Sequence, residues 1–125
     1  MKITNAELVE DFMITYGQLP NMMGLGESKA LGRRLIEEEL DEMDEAGTDR
    51  TAQLDAGIDT LYFAYGNLMR LGFTPEQIDM GFQEVHRSNM SKLGEDGRPI
   101  YREDGKVLKG PNYFPPDLEK IACLK

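Results

Sequence analysis

Between Ser28 and Leu71 apolar side chains recur three and four residues apart, and no other feature of the sequence constrains the fold as much. Leu31, Leu35, Ile36, Leu40 and Met43 form one stripe, stopped by Gly47; Leu54, Ile58, Leu61, Tyr65 and Leu68 form a second over about 50–71, stopped by Gly72. This period is the seam of a helix packed on other helices. Ser28 can cap the first of these helices, and a short turn at Thr48 and Asp49 separates the two. Upstream, Thr4 or Asn5 can cap a helix through Ala6, Leu8, Val9, Phe12, Met13 and Tyr16 that ends near Gly17 or before Pro20. Downstream, Thr74-Pro75-Glu76-Gln77 supplies a cap, a proline at the first helical position and a capping-box glutamine, so a further helix should reach about Met90. After Leu93 the run GEDGRPIYREDGKVLKGPNYFPP changes character. Its Asp-Gly pairs and the short segments PIYR and KVLK predict a small hairpin about Glu103-Asp104-Gly105, and Pro116-Asp117 can start a last short helix with Leu118, Ile121 and Leu124. The expected fold is all-α: one domain over 1–125, an antiparallel bundle of four main helices (core about 4–92) and a hairpin-like extension (about 93–125).

A chain of 125 residues can bury a modest core without disulfides. Its net charge of -9 opposes a broad grip on nucleic acid, and no apolar run approaches the length of a membrane span. The start, MKITNAELVEDF, lacks the pattern of a secretory signal, and the single Cys123 fits a reducing cytoplasm. Charge is uneven: residues 1–85 hold 17 acidic and 6 basic side chains, whereas residues 86–125 hold 6 acidic and 8 basic ones. An acidic body with a basic tail suits a site for a cation and a phosphate together, although solvated helices would show the same split.

The acids are placed unusually. Glu38 and Glu42 are four apart and Glu39 and Glu42 three apart, continuing the stripe of Leu31 and Leu35; Asp55 and Asp59 are four apart beside Leu54, Ile58 and Leu61. Converging carboxylates repel unless protonated, paired or bound to a cation. Arg33, Arg34, Arg50 and Arg70 can bridge some of them; the other solution is an oxygen-only cage for a hard cation, Mg²⁺ or Mn²⁺, since the cluster has no His or Cys. Such a cation leaves positions for phosphate oxygens and water, and a spare glutamate can take a proton.

Glu38-Glu39-Leu40-Asp41-Glu42 followed by Asp55-Ala56-Gly57-Ile58-Asp59 resembles the EExxE plus ExxD signature of the all-α MazG-type nucleoside triphosphate pyrophosphohydrolases, which include the phosphoribosyl-ATP pyrophosphohydrolases. The tail from Val85 to Leu118 looks like the extension of the phosphoribosyl-ATP branch. The resemblance implies metal ligation by Glu38, Glu39, Glu42 and Asp59, and cleavage between the α and β phosphates in a dimer or tetramer. Ala56 stands where the family usually has Glu, and Asp55, on the same helical face as Asp59, can replace it.

Arg87, Asn89 and Lys92, at the end of the fourth helix, and Lys109 and Tyr113 in the tail are candidates for binding phosphate. For Arg87 an ordinary interaction with the helix end is an equal reading. Phe12, Tyr16 and Gln18 can frame a base, with core packing as the alternative for the two rings. His86 has no second imidazole near it in sequence and reads as a packed or hydrogen-bonded side chain. Gly24 and Gly26 mark a loop, but not a phosphate loop, because no Gly-Lys-Ser/Thr ending follows. The function expected is Mg²⁺-dependent hydrolysis of a nucleoside triphosphate, with Glu38 and Glu39 catalytic, in a cytoplasmic homo-oligomer. The alternatives are phosphoribosyl-ATP hydrolysis and a non-catalytic helical dimer that binds nucleotide or metal.

Overall fold

Thr4 opens helix α1 (Asn5–Thr15) with a reciprocal capping box: Thr4 Oγ1 accepts from the Glu7 amide at 3.2 Å, and Glu7 Oε1 accepts from the Thr4 amide at 3.1 Å. Two orphan donors of the first turn are thereby satisfied. The structure, a computed structural model, describes residues 2–22 and 25–124, with side chains from Ser28 onward in the second stretch. Among these residues it is helical, with α2 (Leu25–Glu45), α3 (Arg50–Arg70), α4 (Pro75–Met90) and a single turn, α5 (Glu119–Ala122). No described helix is long and apolar enough to cross a membrane.

The other starts follow equally local chemistry. Asp49 caps α3 by accepting from the amides of Thr51 and Ala52 at 3.0 and 3.2 Å. Thr74 and Gln77 form the capping box expected of α4. Gly47 and Gly72 take positive φ just past α2 and α3, where a side chain would be strained. One start differs from expectation. Helix α2 begins at Leu25, so Gly26 is helical and Ser28 lies inside the helix, fully buried, instead of capping it. The loop expected at Gly24 falls outside the described residues.

By contacts the chain divides into two units, Met1–Ile78 and Asp79–Lys125. In the first, α2 and α3 pack on each other and α1 packs on α3. Contact of Gly32 with Asn67 and of Gly57 with Met43 shows that α2 and α3 run antiparallel, since numbers rise on one helix as they fall on the other. The core is Ala6, Val9, Met13, Met69 and Ile78, with Phe12, Leu19, Tyr62, Tyr65 and Phe73 around it.

The stripe expected to be the α3 seam is not the buried face of the single chain. Leu54, Ile58 and Leu61 are 67%, 51% and 58% exposed, while Ala56, Gly66, Met69 and Arg70 are buried. The small residues Ala56 and Gly66 face inward where helices come close, which leaves the bulky stripe uncovered.

In the second unit the chain after α4 is held by hydrogen bonds. Ser88 Oγ donates to the Phe114 carbonyl at 2.8 Å, the Phe114 amide donates to Ser91 Oγ at 3.2 Å, and the Asp117 amide donates to Glu84 Oε2 at 2.7 Å. The hairpin-like segment forms one antiparallel bridge, Tyr101 with Val107, closed by Arg102 and Leu108 amides donating to the Lys106 and Ile100 carbonyls, both at 2.8 Å.

Candidate active site

The antiparallel register of α2 and α3 brings together four acids separated in sequence by the α2–α3 turn. Glu39 is the only one of them that is buried, at 8% exposure; Asp59 is half-buried, and Glu42 and Asp55 are exposed. Burial, a hydrogen bond with Glu42, and the charges of Glu42, Asp59 and Asp55 push the Glu39 carboxyl up to about 7 from an ordinary 4.5. Asp59 is raised as well, by burial first and then by Asp55 and Glu42. A shared proton between Glu39 and Glu42 is how such a group relieves its repulsion.

The arginines do not neutralise this cluster. Arg33 pairs with Glu37 at 2.7 Å, on the exposed side of α2, and Arg50 donates to the Gln53 amide oxygen at 3.0 Å. Arg70 turns to neutral partners, Asn67 Oδ1 at 3.1 Å and Gln18 Oε1 at 2.7 Å. The bridging expected of Arg33, Arg34, Arg50 and Arg70 does not reach the cluster: among the described residues none of them forms an ion pair with Glu39, Glu42, Asp55 or Asp59.

Whether the donors suit a hard cation rests on two observations. Glu39 Oε2 is buried with no hydrogen-bond partner, and the set is all oxygen. Both fit Mg²⁺ or Mn²⁺. Yet among the described residues no three acids are drawn tightly enough to form a finished cage, as like charges keep their distance until something gathers them. Glu38 stands on the exposed side of α2, apart from the charges that act on Glu39 and Asp59.

An aromatic group lies on the same unit. Phe12 lies tilted at 42° against Tyr16, 4.5 Å between centroids, and meets Tyr62 edge-on at 5.5 Å. Tyr62 follows Asp59 by three residues, hence on the same face of α3. Phe12 packs on the core, whereas Tyr16 is 65% exposed rather than packed inside. The Gln18 side-chain amide oxygen accepts from Arg70.

The candidate phosphate residues all belong to the second unit. Arg87 is held by both Glu84 oxygens, at 2.7 and 3.1 Å, and lies over the Phe114 ring at 4.4 Å, so its fork secures the tail. Lys109 Nζ sits 4.8 Å from the Tyr113 ring centre. Gly110 meets the carbonyls of Lys92 and Leu93, a backbone approach closed to any residue with a Cβ, and this sets Lys109 near the end of α4. Asn89 and His86 are exposed and Lys92 is half-buried. Sequence reasoning missed the burial of Ser28 and Arg70; both sit in a pattern read as cap and helix end, and neither position carries a local signal for burial.

A family model described as phosphoribosyl-ATP pyrophosphohydrolase matches residues 23–89, more than half of the chain, and spans both acidic motifs. The chain belongs to the phosphoribosyl-ATP pyrophosphohydrolase family. Comparison with curated proteins gives no match. Membership implies pyrophosphohydrolysis of a nucleotide. For this phosphoribosyl-ATP pyrophosphohydrolase family member, the matched segment covers α2, α3 and α4 almost completely, so the helices that carry the acids are the ones the family shares.

Proposed function

We propose that the chain hydrolyses a nucleoside triphosphate, ribo or deoxy, to the monophosphate and pyrophosphate with Mg²⁺ or Mn²⁺. The observation that carries the reading is Glu39: a buried carboxyl with an unpartnered oxygen, on a family scaffold, facing Asp59 across two helices. Glu38, Glu39, Glu42 and Asp59, with Asp55 in place of the glutamate that Ala56 displaces, would hold the cation. When bound, the metal shields phosphate charge and acidifies water. The chain's own part is to position and to move a proton. Glu39, whose buried Oε2 has no hydrogen-bond partner, would orient the attacking water and accept its proton, with its exposed neighbour Glu38 as the second candidate base. Phe12 and Tyr16 supply faces on which a base can stack, with Gln18 at the end of the same segment. Within the second unit, Lys92, Asn89 and Lys109 are the candidates to bind phosphate, while Arg87 is taken up by Glu84 and Phe114.

Phosphoribosyl-ATP is the second reading, favoured by the description of the matching family. Assembly as a homo-oligomer is supported by the uncovered stripe of Leu54, Ile58 and Leu61, and residence in a reducing compartment by the free, exposed Cys123.

The deciding experiment measures pyrophosphate and orthophosphate released from ribo- and deoxynucleoside triphosphates and from phosphoribosyl-ATP, with Mg²⁺, Mn²⁺ or EDTA. Metal-dependent pyrophosphate release, reduced at least about a hundredfold in Glu39→Gln and in Asp59→Asn, is the expected result. Full activity in both variants, or no release from any substrate, would overturn it.

A further inference from the structure

A second candidate site lies farther along the α2–α3 interface, at a largely apolar cavity of about 430 Å³ with charged side chains on its lining. Ser28, Lys29, Arg33 and Glu37 line it from α2, and Asn67 and Arg70 from α3. Only six basic side chains occur in residues 1–85, and three of them are here. Against these stands one acid, Glu37, already paired with Arg33. The pocket is thus locally positive in a strongly acidic segment.

Its inner wall holds an unusual pair. Arg70 is 2% exposed, and its Nε has no hydrogen-bond partner; the terminal nitrogens donate to the amide oxygens of Asn67 and Gln18, which carry no charge. No carboxylate lies within ion-pair distance of it among the described residues. Ser28 is 0% exposed, and its Oγ is likewise without a partner. A guanidinium retains its charge when buried, and a buried charge without a counter-ion is costly. An oxyanion in the cavity would supply the missing counter-charge through the wall, behind which Arg70 Nε and Ser28 Oγ are sealed.

We propose that the Ser28, Lys29, Arg33, Asn67 and Arg70 pocket binds a phosphate monoester, at a site separate from the acidic cluster. The cavity exceeds the size of a bare phosphate, and Ile36 and Leu71 give it apolar walls against which the carbons of a sugar phosphate can rest. Asn67 and Arg70 stand two to three turns beyond Asp59 on α3, about 12–16 Å at helical rise. At that span the anion is either the far phosphate of a substrate charged at both ends or a free sugar phosphate.

The test uses the full chain in EDTA, where no metal bridges a phosphate to the acids. Ribose 5-phosphate and inorganic phosphate are titrated by calorimetry and by amide NMR. Binding that shifts the amides of Ser28–Arg33 and Asn67–Leu71, and that weakens about tenfold or more in the Lys29→Ala/Arg33→Ala double variant, is expected. These two side chains are on the surface, so the variant should fold, and Arg70→Lys, which keeps charge but loses the fork, provides an independent check. No binding of either probe at millimolar concentration, or equal binding by the double variant, overturns the proposal. Where binding is seen, the KM for phosphoribosyl-ATP rising more than that for ATP in the double variant marks the anion as part of the substrate. An unchanged ratio marks it as a free ligand. Only this last comparison rests on the hydrolase reading; the titrations involve no turnover, so the two can fail separately.

Discussion

Asn67 Nδ2 on α3 donates to the Gly32 carbonyl on α2 at 3.3 Å, and a Cβ at Gly32 would fall on Asn67 Oδ1. The same Oδ1 accepts from Arg70, so Asn67 cannot swing away without freeing a buried cation.

Gly32→Ala is therefore expected to destabilise the fold by about 1–3 kcal/mol, the usual cost of forcing an atom into a packed contact. Thermal or urea unfolding reads this directly. Asn67→Ala should cost stability by itself through Arg70. The double variant should lose less than the two single losses together, since one clash disappears with the side chain that made it. Simple additivity would show that the two residues do not share a contact.

The raised carboxyl of Glu39 has a definite sign in stability. Its ordinary value is 4.5 and its folded value about 7, so between these the folded chain holds a proton that the unfolded chain releases. The metal-free protein should be most favoured at the acid end of this window and lose stability as pH rises through 7. Glu39→Gln should flatten that slope. Because ligation needs the carboxylate, adding Mg²⁺ at pH 7 should also release roughly half a proton per chain, measurable with an indicator dye in weak buffer. A pH-independent melting temperature in the wild-type chain would contradict the assignment.

The tail depends on two anchors of different kinds. Ser88 is 2% exposed, and Ser88→Ala removes the donor to the carbonyl of the half-buried Phe114, a loss of about 1–2 kcal/mol. Glu84 is held down to about 2 by hydrogen bonds from Arg87 and from the Asp117 amide. Its contribution is present above the ordinary value of 4.5 and fades as pH falls toward 2. Hydrogen exchange of the Phe114 and Asp117 amides should thus be faster in Ser88→Ala. Relative to core amides, and after correction for intrinsic rates, Asp117 alone should lose protection between pH 5 and 3.

The exposed stripe on α3 yields a prediction about assembly. Ile58→Lys and Leu61→Lys lie on a face the single chain does not cover, so intrinsic stability should shift by no more than about 0.5 kcal/mol. Sedimentation should nevertheless show the wild-type chain as an oligomer and the variants as monomers. A wild-type monomer at micromolar concentration would leave the stripe as mere surface.

Much of this was legible from residues close together in the chain. Thr4 with Glu7, and Thr74 with Gln77, form the capping boxes that their spacing announces, and Gly47 and Gly72 end their helices where expected. The neighbours Glu39 and Glu42 on α2, and Asp55 and Asp59 on α3, were also legible, because positions three and four apart lie together on a helix whatever surrounds them. Caps, stops and spacing are governed by hydrogen bonds and sterics within one or two turns, and those the sequence determines by itself. Which face of α3 turns inward, why Glu39 is buried while Glu38 is not, and how Ser28 and Arg70 come to line one cavity were decided only in the tertiary structure. An apolar stripe is compatible with burial by the same chain or by another. The choice depends on how closely neighbouring helices approach, which Gly32, Ala56 and Gly66 set through the space they leave empty.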